Sequence, residues 1–413
     1  MVLRGCLALL LFAVAAAAEE GDRVDDLERR VEALEKDKQQ AQQERDALKA
    51  EIENYLAKEE GLGLAIVLRR GNVLATIQIF GDVGAGYRNP SPPGKGNSSF
   101  FLGQANLFAT AQIGERIQVM SETVVKTSAG TASDSINFDQ ERLWLSYAFG
   151  DLLTIKLGLE HGPISRWNRI YHHGRWLEMS IERPFLAQFE SSGILPLHNS
   201  GVEFSGRVRT DAGAVEYIFL VSNGRGRVAT DPQKVFDRKD DKALEISISF
   251  VPTAVEGLRV GGGFRWDEIP PNPDDPARTG TFRQIIASAY VEFRRGPFEV
   301  IAEIAWVEDR DRATMTTFGH HLAYIQVAYH LDDRWTPYTR FDSRQMETGD
   351  PYYAPLGRDT DIWEWLLGLR HELADNAALK IEIAYGREDV ANGGGGVRER
   401  GYIRFGVQIS WVF

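Results

Sequence analysis

Residues 403–413 read IRFGVQISWVF: Val407, Ile409, Trp411 and Phe413 are apolar, and they alternate with Gln408, Ser410 and Val412. Side chains two residues apart share one face of an extended strand, so this stretch predicts a strand with one oily face, ending on an aromatic ring. The same rhythm runs back to residue 73. In 74–88, Ile77, Ile79, Val83 and Tyr87 oppose Gln78 and Asp82; in 152–162, Leu153, Ile155, Leu157 and Leu159 oppose Thr154, Lys156 and Glu160. Leu244, Ile246, Ile248 and Phe250 alternate with Glu245, Ser247 and Ser249, and Leu379, Ile381, Ile383 and Tyr385 with Lys380 and Glu382. Each run is about the 9 to 11 residues that a tilted strand needs to cross a bilayer. Carboxylates and amines at every second position suit a wet lumen.

The connections predict the architecture. Short polar turns fall at 114–116, 150–151, 209–213, 252–257, 295–297, 332–334 and 375–376. Between them lie longer segments near 89–99, 128–136, 163–199, 224–240, 268–281, 309–319, 346–360 and 388–400. Fifteen connections join 16 antiparallel strands. Strict alternation of short and long is the pattern of a transmembrane barrel with tight periplasmic turns and long extracellular loops. Aromatic residues toward strand ends (Tyr147, Phe149, Tyr217, Phe264, Trp266, Trp306, Tyr329, Trp335, Trp365 and Trp411) match an interfacial girdle.

Bulk composition does not oppose this reading. The 413-residue chain is 43% hydrophobic with a mean hydropathy of −0.28 and a formal charge of −12. Those averages fit a soluble protein equally well, because lumen-facing polar residues dilute the apolar signal of a barrel. After residue 18 no run approaches the ~20 apolar residues of a spanning helix.

Residues 1–18 read as a secretory signal, with Arg4 in the charged region, an apolar stretch from Cys6, and Ala16-Ala17-Ala18 before Glu19 as a small-residue cleavage site. The single cysteine, Cys6, lies in the removed part and has no lipobox. Disulfides, thiol chemistry and covalent haem attachment are thereby excluded from the mature chain. From 19 to 58 the chain is polar, and a heptad places Val24, Val31, Lys38, Arg45 and Ile52 at a, and Leu27, Leu34, Ala41, Leu48 and Tyr55 at d. This predicts a periplasmic coiled coil, on the order of 55 Å long. Residues 59–72 form a linker, and the barrel is expected over 73–413.

The longest connection, Pro163 to Asn199, carries Arg166, Arg169, His172, His173, Arg175, Glu178, Glu182, Arg183 and Glu190. Lumen-facing charges predicted by alternation include Asp82, Glu122, Arg142, Lys156, Glu160, Arg207, Arg340, Arg370 and Arg404, with Arg265, Lys380, Glu203, Glu245, Glu292, Glu303, Asp342 and Glu382 beside them. Neither sign dominates, so no ion preference follows.

The phrases GLEHGPISRWN (158–168), YHHGRW (171–176), ILPLHNSGVEFSG (194–206) and VQISWVF (407–413) resemble bacterial outer-membrane porin-like proteins related to the phosphate-selective porin family. The resemblance covers most of 73–413 at the level of pattern. It implies passive passage of small hydrophilic solutes or ions, a third extracellular loop that narrows the lumen, a homotrimer in outer-membrane lipid, and recognition of the terminal Phe413 by the barrel-assembly machinery. A rival reading is a structural tether or adhesin whose residues 22–58 reach peptidoglycan. Nucleic acid is not an expected partner.

Enzymatic and metal readings carry less. His198-Asn199-Ser200 lacks an acyl-hydrolase signature around it, so no catalytic residues are expected. His172-His173, His320-His321, His161 and His198 are potential ligands, but adjacent residues on a strand point to opposite faces, so neither pair chelates readily. No metal or cofactor is expected.

Overall fold

The alternating chain becomes one antiparallel sheet that closes on itself. The computed structural model describes residues 66–91, 96–128, 135–172, 174–189, 193–357, 360–391 and 397–413. The signal-peptide and coiled-coil readings lie outside the described residues, as do His173 and Glu190. In chain order the strands are β1 (Ile66–Arg70), β2 (Val73–Asn89), β3 (Ser98–Leu102), β4 (Gln104–Ile113), β5 (Ile117–Ser128), β6 (Ser135–Gly150), β7 (Leu153–His161), β8 (His198–Thr210) and β9 (Gly213–Ser222). They continue as β10 (Ala243–Pro252), β11 (Leu258–Ile269), β12 (Phe282–Arg295), β13 (Phe298–Asp311), β14 (Thr317–Tyr329), β15 (Trp335–Met346), β16 (Ile362–Ala374), β17 (Ala377–Ala391) and β18 (Val397–Val412).

These make 16 staves, because β3 and β4 share one edge of β2 and count as one, while β1 lies below the end of β18 on the other edge. Ring closure is β18 on β2, from Ile403 opposite Asn89 to Val412 opposite Phe80. The C-terminal residue takes part: Phe413 N–H donates to Ile79 O at 3.0 Å, and Ile79 N–H donates to Phe413 O at 2.6 Å. All seven short turns fall where the sequence places them. At the sharpest, Gly257 has φ +78°, and a Cβ there would stand 1.7 Å from Arg294 O. In the exposed 330–334 turn, Asp332 accepts from the N–H groups of Arg334 and Trp335, each at 2.8 Å, which holds its carboxyl below its ordinary range. Residues 66–70, read from the sequence as part of the 59–72 linker, instead form β1 and hairpin onto β2.

Of the one-residue register shifts among the described residues, those at Phe149 and Leu373 fall at strand ends and two others re-aim the wall. Gly103 is the extra residue between β3 and β4, where the Asp82 carboxylate occupies the space that a Cβ would need, 2.0 Å away. The second lies in β6. Glu122 pairs with Arg142 while the next residue, Thr123, pairs with Gln140, which leaves Glu141 as the insertion. Before it Ile136 and Phe138 are exposed, and after it Leu143 and Leu145 are, so the outward parity switches from even to odd. Both Glu141 and Arg142 therefore turn inward, as a bulge allows.

The outer surface carries a belt of exposed apolar side chains, among them Leu157, Ile248, Ile304, Ile325, Leu367, Ile383 and Phe405. A contiguous apolar surface of this extent calls for a non-aqueous neighbour. Near the short turns, aromatic rings pair: Tyr147 with Phe149 at 4.8 Å and Phe298 with Tyr329 at 4.9 Å. Ile383, midway along β17 and 54% exposed, tests this face. Ile383→Arg is expected to lower stability in lipid vesicles by about 2–4 kcal/mol in reversible denaturant titrations. Unchanged stability would mean that this side of the sheet does not meet hydrocarbon.

Candidate functional site

Residues 162–197, between β7 and β8, fold against the inner wall. The segment begins with a six-residue helix, α1 (Arg166–Tyr171). Ser165 caps it, its Oγ accepting from Asn168 N–H at 3.2 Å. The other free N–H groups of the first turn are met from across the barrel: Glu303 on β13 accepts from Arg166 N–H at 2.9 Å, from Trp167 N–H at 2.5 Å and from Tyr324 Oη at 2.9 Å. A carboxylate at a helix start answers both the unpaired donors and the positive end of the dipole. The Arg166 guanidinium reaches Glu292 on β12 at 2.9 Å. Arg169 forks onto both oxygens of Glu203 on β8, at 2.9 and 3.3 Å, and donates to His161 O at 2.8 Å.

The second half is held by cations on β15 to β17 that bond its backbone. Arg340 donates to Glu182 O at 2.7 Å and to Asp342 at 2.6 Å; Arg370 donates to Trp176 O at 2.6 Å and Glu178 O at 3.1 Å. Lys380 donates to Arg175 O, and Glu382 accepts from Ile181 N–H at 2.7 Å. Gly174, at φ +137°, passes so close to Phe80 of β2 that a Cβ would lie 2.7 Å from the ring. A short 3₁₀ turn, Phe185–Ala187, packs on β14 and β15, with Phe185 N–H donating to Asp342 at 3.3 Å.

Between these polar anchors lies an apolar core that the sequence reading did not foresee. Ile164, Trp167, Leu186, Ala187, Ile194, Leu195 and Leu197 of the segment pack with Ile269, Phe282, Ile286, Ile301, Val307 and Leu322 of the wall and with Tyr352 and Tyr353 of the 347–361 connection. The expectation of a uniformly wet lumen is therefore corrected for the inner faces of β11 to β15. The signal was present, since runs such as VIAEIAWV (300–307) are apolar on both parities, the pattern of a strand covered on both sides.

The predicted residues separate into groups. Arg166 and Arg169 bind the wall as above. Arg175 and Glu178 pair with each other at 2.7 Å inside the segment, and Arg183 is buried beside Glu178 at 3.7 Å, its guanidinium 3.7 Å from the centre of the Phe189 ring. Among the described carboxylates of this set, Glu182 keeps an exposed position, in a 290 Å³ cavity with Arg88 and Arg404. Burial and the facing Arg183 hold the His172 imidazole well below its ordinary range. Of the lumen-facing set, Asp82 accepts from Gln408 at 2.9 Å, Arg142 pairs with Glu122 at 2.7 Å, and Lys156 bridges Glu160 at 2.7 Å and Glu203 at 3.3 Å. Arg404 spans Glu364 at 2.8 Å and Glu382 at 3.1 Å, and Arg207 is half-exposed, 3.4 Å from Glu216. Missed by sequence reasoning are Arg225 and Arg278, both buried, the former bonding Tyr353 Oη at 2.7 Å; loop arginines carry no periodic mark. Glu141 was missed because a bulge has no alternation signature.

No family model matches the chain, and no curated protein is similar to it. Solved structures are. An anion-selective porin from Comamonas acidovorans matches with a TM-score of 0.57 at 11% identity, over 82% of this chain and 100% of that one. The outer-membrane channel DcaP of Acinetobacter baumannii matches at 0.55 and 10%, over 84% and 99%. OmpF of Salmonella typhi, in complex with daunomycin, matches at 0.55 and 10%, over 84% and 100%. At such identities the likeness is one of fold: a closed 16-strand antiparallel barrel of the kind found in outer-membrane porins.

Removing the Glu303 carboxylate leaves two N–H donors and Tyr324 without their acceptor. Glu303→Leu is expected to cost about 3 kcal/mol locally, so amide exchange at 166–168, read by mass spectrometry, should speed up by roughly a hundredfold while the strands stay protected.

Proposed function

We propose that the chain is an outer-membrane porin giving passive diffusion of small hydrophilic solutes or ions, with residues 162–197 narrowing the barrel. The observation that carries this reading is the way the segment is held: carbonyls of Arg175, Trp176, Glu178 and Glu182 accept from Lys380, Arg370 and Arg340 of the far wall. A segment so pinned presents a fixed cross-section, which a sieve requires and a floppy cap does not supply. The names of the structural neighbours, an anion-selective porin and a channel among them, support the same class of activity. One neighbour is a Vibrio cholerae outer-membrane protein solved in trimer form, which supports a homotrimer here. In this reading residues 1–18 direct export, residues 19–58 form the periplasmic coiled coil, and Phe413, half-exposed at the seam, engages the assembly machinery.

A second reading is favoured by one observation. Inward residues of β12 to β17 are covered almost completely beneath the segment, Ile286, Leu322, Leu366 and Lys380 each at 0% exposure. A barrel so filled also suits a tether, with residues 22–58 reaching peptidoglycan.

Planar-bilayer recording separates the two. Discrete conductance steps are expected for the porin, and Arg340→Ala, which frees the segment at Glu182, should enlarge them or make them flicker. A folded barrel that stays silent, alone and as the variant, favours the tether. Deletion of 22–58 is expected to weaken the oligomer on native gels while leaving conductance per barrel intact; loss of peptidoglycan binding on the same deletion would instead support anchorage.

A further inference from the structure

Four buried side chains from four separate elements converge at the mouth of the folded-in segment. Glu141 comes from the bulge of β6, His161 from the last residue of β7, His172 from the C-terminal cap of α1, and His198 from the first residue of β8. Each offers one ligand atom, and the four atoms all lie within 4.8 Å of one another. His161 and His198 are register partners across the β7–β8 ladder. The imidazole centroids are 4.1 Å apart for His161 and His172, 5.0 Å for His172 and His198, and 5.1 Å for His161 and His198. His198 Nε2 contacts Glu141 Oε2, and His172 Nε2 stands 3.6 Å from the same oxygen.

Three imidazoles and one carboxylate are the donor set of a borderline divalent metal. Tetrahedral coordination with bonds of about 2.0–2.1 Å puts ligand atoms roughly 3.3 Å apart, so small rotations would close the cluster. Entry is provided: a cavity of 440 Å³ is lined by Glu141 and His198 together with Asp139, Asp231, Lys234 and Phe189. Two cations reach the cluster and would turn aside on metal entry: Arg183 Nη1 lies 3.2 and 3.4 Å from the two ring nitrogens of His172, and Lys234 lies 3.8 Å from Glu141, while each has a second partner, Glu178 at 3.7 Å and Asp139 at 3.0 Å respectively.

The bland alternative is a hydrogen-bonded histidine cluster without metal. A second group, Asp309, His320 and Asp350, fits that description. There His320 Nε2 is 2.8 Å from Asp350, and His320 Nδ1 accepts from Glu347 N–H at 3.2 Å, so both ring nitrogens are committed. In the first group the β6 bulge turns a carboxylate inward against two rings at the ends of the segment, His161 and His198, and a third, His172, at the end of α1 within it. We propose that Glu141, His161, His172 and His198 form a divalent transition-metal site, best suited to Zn²⁺, that ties α1 to the junction of β6, β7 and β8.

The test uses the full chain folded in detergent, stripped with chelator and titrated with ZnCl₂ or CoCl₂ alone. Expected are one metal per chain by elemental analysis and, with Co²⁺, the intense visible d–d bands of a four-coordinate site. His161→Asn and His198→Asn should each weaken binding by about a hundredfold or more, with His321→Asn on the opposite face of β14 as control. Folding of each variant is checked by its mobility on unheated gels. Wild-type protein that gives no intense Co²⁺ bands at saturation, or zinc that the two variants bind as well as wild type does, overturns the proposal and leaves an adventitious ion only. Because the wild-type Co²⁺ spectrum decides by itself, a variant that fails to fold does not blunt the test, and the metal result is read independently of conductance.

Discussion

Charge inside a nearly dry space is the constraint on which the interior depends. Arg340, Lys380, Glu303 and Glu382 are all within a few per cent of complete burial, and an ion taken out of water must find partners or destabilise the fold by several kcal/mol. The wall pairs some of them itself, Arg340 with Asp342 at 2.6 Å and Glu382 with Arg404 at 3.1 Å, yet each keeps further donor or acceptor positions to fill. The segment from 162 to 197 supplies the remainder from its backbone, carbonyls to the arginines and lysine on one side and N–H groups to the carboxylates on the other. The dependence runs both ways, because among its described residues the segment has only one short α-helix and one 3₁₀ turn, and so many peptide groups outside regular structure to satisfy. Wall and segment are therefore each incomplete without the other.

Much of this was legible in the sequence, and the reason is periodicity. A two-residue repeat depends only on which face of a strand is wet, so strands such as Ala243–Pro252 announce themselves in LEISISF alone. Turn glycines and Asp-rich turns marked the seven short connections for an equally local reason. What local pattern does not record is a change of phase. The bulge at Glu141 shifts inward parity by one residue, and nothing in FDQERLWL (138–145) states where the shift falls. Contacts made by the long connections are also invisible, since Arg225 meeting Tyr353 or Arg166 meeting Glu292 links residues more than a hundred apart.

The apolar inner patch shows how one rule overrode another. Alternation with charge argues for water on the inner face, yet β12 to β14 have aliphatic residues on both faces, and there the segment supplies Leu186, Ile194, Leu195 and Leu197. At about 25 cal/mol per Å², that contact rewards folding inward, while the flanking ion pairs fix the register at which the segment lands. Apolar contact alone is tolerant of sliding; a carboxylate that must meet two named N–H groups is not.

Division of labour between tolerant and intolerant contacts also accounts for the pattern of likeness. A barrel stave asks only for an apolar residue outward and something compatible inward, so substitution is nearly free along 16 strands, and identity to barrels of the same fold falls to about a tenth. The interior is different, because each buried charge there has one geometric solution. Two barrels with the same wall are then free to differ in what the wall encloses. In this chain the enclosed part is a helix bound by Glu303 at its start and by a cluster of histidines with Glu141 at its end. Among the described residues, the contacts that fix this interior are those between the segment of 162–197 and the few inward side chains that grip it.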